Sequence, residues 1–162
     1  MKTLAGVKFR KYRDADLAAV QRLVRDVFTE FVMPDATSDG KIWWTDFHSM
    51  GNENIARIQR RFAECPIRYI AVDGRRIVGT VMGTVAELKR IFVRPSHHRR
   101  GIGRRLMELF ENDCRKFGAR RYRIISGLFA VPFYERMGCR KSTGVRVIHG
   151  LKVQPMKRVL RV

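Results

Sequence analysis

The sequence predicts a mixed α/β domain built on one twisted sheet. Residues 68–72 and 77–85 are β-branched runs joined through Asp73-Gly74, a pairing that reads as a hairpin. Leu17, Val20, Val24, Val27, Phe28 and Phe31 recur at the spacing of one helical face. Strand-like and helix-like segments then alternate to the end of the chain.

In order, residues 7–12 alternate apolar and basic side chains, as a half-exposed strand does, and Asp14 offers an N-cap carboxylate to the helix behind it. Pro34 and the polar stretch to Gly40 end that helix. Residues 41–64 predict two short helices around Gly51, with Trp43, Trp44, Phe47, Ile55, Ile58 and Phe62 as apolar points and Asn52 as a cap for the second. Gly79 and Gly83 suggest a bulge or a close approach to a ligand. A strand over 87–93 is stopped by Pro95. A helix over 101–117 is expected to bury Ile102, Leu106, Leu109, Phe110 and Phe117 and to end at Gly118 in a left-handed cap. Residues 122–126 form a strand, residues 130–137 a short helix with Pro132 in its first turn, and two strands near 145–149 and 155–160 follow.

A chain of 162 residues, 45% hydrophobic and with ten Phe, fits one domain over 1–162 with a real core. No apolar run approaches the ~20 residues of a membrane span, and the N-terminus lacks the apolar stretch of a signal peptide, so no membrane association and a cytoplasmic location are expected. Cys65, Cys114 and Cys139 form no C-x-x-C pair, which argues against a disulfide framework or a zinc site, and Cys114 reads as a packing residue. Charge is lopsided. Residues 1–81 hold 14 Lys plus Arg against 10 Asp plus Glu, net +4; residues 82–162 hold 20 against 5, net +15. Such a field attracts polyanions but names none, and a merely solvated surface would look the same.

The chemistry concentrates in residues 93–107. There a strand runs into a turn with Gly101 and Gly103 and then into an amphipathic helix. Unpaired N–H groups and the dipole at a helix start favour an anion, and glycines let a phosphate approach the backbone. Arg99, Arg100, Arg104 and Arg105 add positive charge. The segment has no Gly-x-x-x-x-Gly-Lys-Ser/Thr, and Leu106 stands where a Rossmann fingerprint needs its third glycine, so neither nucleotide motif applies.

This segment resembles the cofactor motif of the GNAT N-acetyltransferase superfamily, Arg/Gln-x-x-Gly-x-Gly/Ala, with Gly101 and Gly103 matching and His98 replacing the Arg/Gln. Ala130-Val131-Pro132-Phe133-Tyr134-Glu135-Arg136-Met137-Gly138 resembles the family's late Ala-x-x-Phe-Tyr-x-x-x-Gly-Phe signature, with Cys139 in place of the final aromatic. The resemblance implies the acyl-CoA N-acyltransferase fold, a single mixed, mostly antiparallel sheet flanked by helices. It also implies acetyl-CoA (coenzyme A) as cofactor. Pyrophosphate binding would fall to His98, Arg99, Arg100, Gly101, Ile102, Gly103 and Arg104, and the pantetheine arm to Ile91, Phe92 and Val93.

By the same resemblance Tyr134 is the candidate general acid for the departing thiolate and Glu87 the candidate general base. Tyr134 could instead anchor its helix to the sheet, and Glu87 could simply pair with Lys89 or Arg90. Ser126 could bond the cofactor or serve as a turn former. His97 and His98 have no completing ligands nearby, so no metal is expected. Trp43, Trp44 and Phe47 could line an acceptor pocket or be core, while Asp46, His48 and Glu53 are weak candidates for amine recognition.

The leading expectation is acetyl transfer to a primary amine, small-molecule or protein, by direct attack in a ternary complex. The competing expectation is a non-catalytic acyl-CoA-binding protein docked on nucleic acid or a ribosome through its basic surface, although no nucleic-acid motif is present. A basic surface argues for acidic acceptors over polycationic ones. Such folds commonly dimerise, so a homodimer is also an expectation.

Overall fold

The computed structural model describes residues 4–47 and 52–161, including every side chain of these except 45–47, 52 and 53. Strands β1 (Val7–Lys11), β2 (Ile67–Asp73), β3 (Arg76–Gly83) and β4 (Glu87–Val93) form an antiparallel run. β5 (Arg121–Gly127) joins β4 in parallel, and β8 (Leu151–Val159) pairs antiparallel with β5. The short β6 (Arg140–Lys141) and β7 (Arg146–Ile148) share the outer edge of β8. The sheet order is therefore β1-β2-β3-β4-β5-β8-β6, with β7 beside β8.

Helices cover both faces because the strands alternate apolar side chains to both. On one face α4 (Ile102–Lys116) and α5 (Val131–Arg136) pack Ile102, Leu106, Met107, Phe110 and Tyr134 onto Tyr69, Val81, Leu88 and Ile124. On the other, α1 (Leu17–Phe31), α2 (Ser38–Phe47) and α3 (Asn52–Ala63) bring Leu23, Val24, Phe28, Trp44, Ile58 and Phe62 onto Ile70, Ile77, Met82 and Val153. Burying each such large side chain is worth roughly 1.5–3 kcal/mol.

Gly79 and Gly83 do make a close approach, but to α4. A Cβ on Gly79 would sit 3.0 Å from Leu106 Cδ1, and one on Gly83 would sit 2.8 Å from Phe110 Cε2. The β3–β4 register shifts at Met82/Gly83, a bulge that re-aims the rest of β4.

Several expectations are corrected. Asp16, not Asp14, anchors the start of α1: its carboxylate accepts from the Arg13 N–H at 2.8 Å and from both terminal nitrogens of Arg10 at 2.8 and 2.9 Å. Phe117 lies beyond the end of α4 and is 71% exposed, whereas Glu111, Asp113 and Cys114 are buried. The hairpin loop is Gly74-Arg75, because Asp73 still pairs with Arg76. β8 begins at Leu151, four residues before the expected start. His48 lies outside the described residues, as do the side chains of Asp46, Phe47, Asn52 and Glu53.

Candidate active site

The central feature is a fork. β4 and β5 are in register only at Glu87↔Arg123 and Leu88↔Ile124, after which no pairing joins them. Each stays attached on its other edge, β4 to β3 as far as Val93 and β5 to β8 as far as Gly127. The Arg94 N–H bonds the Val78 carbonyl, which makes the even-numbered residues at this end of β4 the ones bonded to β3. Leu160 N–H bonding the Arg120 carbonyl does the same for β5 and β8. The alternation therefore turns the main chain of Ile91 and Val93 on one side, and of Ile125 and Gly127 on the other, into the gap. Phe92 is a correction: its backbone is spent on Thr80 of β3, and its side chain packs with the α1-side core.

At the mouth of the fork a 3-10 turn, Pro95–His97, leads through Arg99 (φ 61°) and Gly101 (φ 83°) into α4. The first intrahelical bond is Arg105 N–H to the Gly101 carbonyl, so the N–H groups of residues 102–104 at this helix start point outward without helical partners. Arg99 and Arg104 are exposed beside them, and Arg100 is half-buried with Asp73 at 3.7 Å. Asp73 also meets His97 Nε2 at 3.0 Å, tying the loop to the β2–β3 hairpin. With Ser96 on the other ring nitrogen of His97, neither of its nitrogens is left over. No group of three or more His, Cys, Asp or Glu gathers among the described residues. The Ile102 side chain is buried in the core, which leaves only its amide for a ligand.

The two glycines do different work. Gly101 supplies the left-handed turn, and nothing lies within 4 Å of a Cβ placed there. Gly103 makes room for a neighbour, since its Cβ would sit 3.1 Å from Phe133 Cε2. The β4–α4 loop and the late Phe-Tyr segment are thus packed against each other. His98 folds inward: Nε2 donates to the Val93 carbonyl at 2.7 Å, and the ring lies against Phe31 and Phe129.

Tyr134 is 4% exposed on the α4 face, in the cluster that holds Leu88 and Ile124 and against which Ile91 and Val93 pack. Burial pushes its phenol above the ordinary tyrosine range, and Cys139 adds to this. Its hydroxyl makes no hydrogen bond among the described residues, which is unusual for a buried tyrosine. Glu87 begins β4 one position from Leu88 and so faces the opposite side of the sheet, where it accepts from Arg123 at 3.0 Å. Neither Lys89 nor Arg90 is its partner. Ser126 is buried, and its hydroxyl donates to the Gly127 carbonyl at 2.7 Å, so it holds the lip of the fork rather than reaching into it. Trp44 is core, while Trp43 stacks on His149 of the β7–β8 turn. Arg123 escaped the sequence reading because its place opposite Glu87 depends on the parallel register of strands far apart in the chain.

A family model for the acetyltransferase (GNAT) domain matches residues 32–160. The chain belongs to the GNAT acetyltransferase family. Acetyl-CoA is the usual cofactor of that family, and N-acetyl transfer its general activity. The solved structures similar to this GNAT chain include a GCN5-related N-acetyltransferase from Rhodopseudomonas palustris, at 18% identity and TM-score 0.79, covering 96% of this chain and 97% of that one. PaiA N-acetyltransferase from Thermoplasma acidophilum, solved with coenzyme A, matches at 18% identity and TM-score 0.73, covering 95% and 99%. The ribosomal-protein-S18-alanine N-acetyltransferase from Escherichia coli matches at 15% identity and TM-score 0.64, covering 96% and 95%. Among curated proteins no sequence match is found. The mixed, mostly antiparallel sheet expected from the sequence is the fold observed. No helix among the described residues is long and apolar enough to cross a membrane.

Proposed function

We propose that this GNAT chain transfers an acetyl group from acetyl-CoA to a primary amine by direct attack in a ternary complex. The observation that carries the reading is the β4–β5 fork with Tyr134 on one face and Glu87 on the other. Acetyl-CoA supplies the acyl thioester. Outward N–H groups at residues 102–104, with Arg99, Arg100 and Arg104 around them, fit its pyrophosphate. The gap-facing backbone of Ile91, Val93, Ile125 and Gly127 fits an amide-bearing chain laid between the strands. Tyr134, kept protonated by burial and lacking an internal partner, gives a proton to the departing thiolate. Glu87 accepts the proton of the attacking amine from the other face. Thiol release from acetyl-CoA, measured across a panel of amines, tests the reading. Absence of release with every amine would refute it.

The competing reading, a polyanion-docking protein, draws on one observation. Arg22, Arg75, Arg76 and Arg94 line a cavity of about 380 Å³ on the α1 side. Docking of this kind predicts single-stranded RNA binding that weakens steeply with salt and is insensitive to substitution of Tyr134.

A further inference from the structure

The face of the sheet that carries Glu87 is not wholly covered by helices. Beyond the α1–α3 layer, β5 exposes Arg123 and Ile125. A cavity of about 230 Å³ opens there between β5, β8 and the β6–β7 connection. Arg123, Ile124 and Ile125 belong to this cavity and to the root of the fork at once. Arg123, which donates to the Glu87 carboxylate at 3.0 Å, is therefore shared between the cavity wall and that ion pair.

The lining has one sign of charge. Arg123 and Arg146 are its ionised groups among the described residues, Ser142 and Thr143 its hydroxyls, and Ile125, Ile148 and Pro155 give it apolar walls. Among the described residues no carboxylate lines it. Arg146 makes no ion pair or hydrogen bond among the described residues, while one nitrogen of Arg123 is already engaged by Glu87. Lys157 stands in register with Arg123 and adds to the positive field. Charge order along this surface thus runs from the negative Glu87, through its paired arginine, to the unpaired guanidinium of Arg146. A diamine or polyamine would put its second cation among these arginines with no counter-charge. A zwitterion matches, with its ammonium toward Glu87 and its carboxylate on Arg146, whose planar fork suits two carboxylate oxygens. The volume lies below the ~300–1,000 Å³ usual for drug-sized ligands, so the fit is to a small molecule.

We propose that the acceptor is a small amine that also carries a carboxylate, an amino-acid-like zwitterion held by Arg146. This rests on the acetyl-transfer reading above. The bound ammonium first loses one proton to solvent, and the free amine nitrogen then bonds the acetyl carbon as the carbon–sulfur bond breaks. The amine proton passes to Glu87 and the thiolate takes the proton of Tyr134. The products are an N-acetylated acid and free coenzyme A.

The test compares amino acids with their decarboxylated partners, leucine against isopentylamine and lysine against 1,5-diaminopentane, by thiol release from acetyl-CoA. The carboxylated member of each pair is expected to show a KM at least tenfold lower. In Arg146→Gln that preference should fall to near unity, with Arg146→Lys retaining part of it and the KM for acetyl-CoA reporting that the fold is intact. Preference for the diamine, or a carboxylate preference that survives Arg146→Gln, overturns the proposal and leaves acetyl transfer standing. Thiol release with none of the amines overturns the acetyl-transfer reading and this inference with it.

Discussion

The imidazole of His98 donates from Nε2 to the carbonyl of Val93 across 2.7 Å, closing the loop that joins β4 to α4. A carbonyl can only accept, so this bond fixes the tautomer at Nε2–H. His98 stands where the family motif carries Arg or Gln, and here it also occupies a gap-facing carbonyl at the end of β4. Its work is to shape the loop.

Loss of that bond should loosen the β4–α4 loop, proposed above to hold the pyrophosphate, without touching the reacting groups. His98→Ala removes a hydrogen bond worth about 1 kcal/mol, so a roughly fivefold rise in KM for acetyl-CoA is expected with little change in kcat. His98→Gln, which keeps a donor, should recover part of the difference. Steady-state kinetics with acetyl-CoA varied would decide the matter, and a fall in kcat alone would contradict it.

Gly101 and Gly103 should respond differently to the same substitution. Gly101→Ala meets no neighbour but must hold φ near 83°, at a cost of roughly 1–2 kcal/mol; its effect should appear in stability and in acetyl-CoA KM. Gly103→Ala pushes on Phe133 and, through it, on Tyr134, whose ring it contacts edge-on at 5.2 Å between centroids. A lowered kcat is expected, relieved in the double variant Gly103→Ala/Phe133→Leu. A double-mutant cycle measures the coupling, and strict additivity would show that the contact is unimportant.

The fold was legible wherever local chemistry determines geometry. The hairpin between β2 and β3, though its loop is Gly74-Arg75, the left-handed stop at Gly118 and the left-handed Gly101 each follow from backbone preference. Phe117 misled because the helical period continues through it, whereas α4 stops at Lys116 and the chain turns away. The early part of β8 was hidden by Lys152, Gln154 and Pro155, which break an apolar pattern. Gln154 is nevertheless buried, with its amide donating to the Thr143 and Pro155 carbonyls. Pro155 is tolerated because it falls at the break between β6 and β7, where no ladder bond needs its nitrogen. Within the proposed site, the motifs singled out the β4–α4 loop and Tyr134, which the fold brings into contact through Gly103 and Phe133. Arg123 and Arg146 could not be found locally, since the fork and its neighbouring cavity arise from strand register.

Tyr134→Phe keeps the packing and removes only the proposed proton. A loss of about a hundredfold in kcat is expected, with acetyl-CoA KM nearly unchanged. The same burial has a consequence for stability. Because the folded phenol titrates above its unfolded value of ~10, its contribution is complete below that pH and is lost as pH rises further. Tyr12 and Tyr69, both pushed up to about 12 by burial first of all, act in the same direction. Urea midpoints should therefore fall above pH ~10, and less steeply in Tyr134→Phe.

Glu87→Gln retains a partner for Arg123 but cannot accept the amine proton. A kcat loss of about a hundredfold is expected if the carboxylate is the base. Arg123→Ala should cost less, because it disturbs the position of Glu87 and leaves its chemistry in place. Near-normal turnover in Glu87→Gln would move the base to a water chain.

Asp16 offers a test of stability far from the fork. Its carboxyl is held below the usual range mainly by the hydrogen bonds from Arg10, with the Arg13 N–H and the nearby positive charges helping and burial opposing. A depressed carboxylate stabilises the fold above its unfolded pKa of ~3.9, and that contribution disappears as pH falls through the lower folded value. Asp16→Asn should therefore lower stability at pH 7 by about 1.5–3 kcal/mol, the range of a hydrogen bond to a charged group. The gap between parent and variant should narrow as pH drops below ~4, where the parent loses the same charge. Urea unfolding at pH 7 and near pH 3 measures both. A gap equal at the two pH values would mean that the pair contributes through shape alone, and Arg10→Gln would then be expected to cost as much at low pH as at neutral.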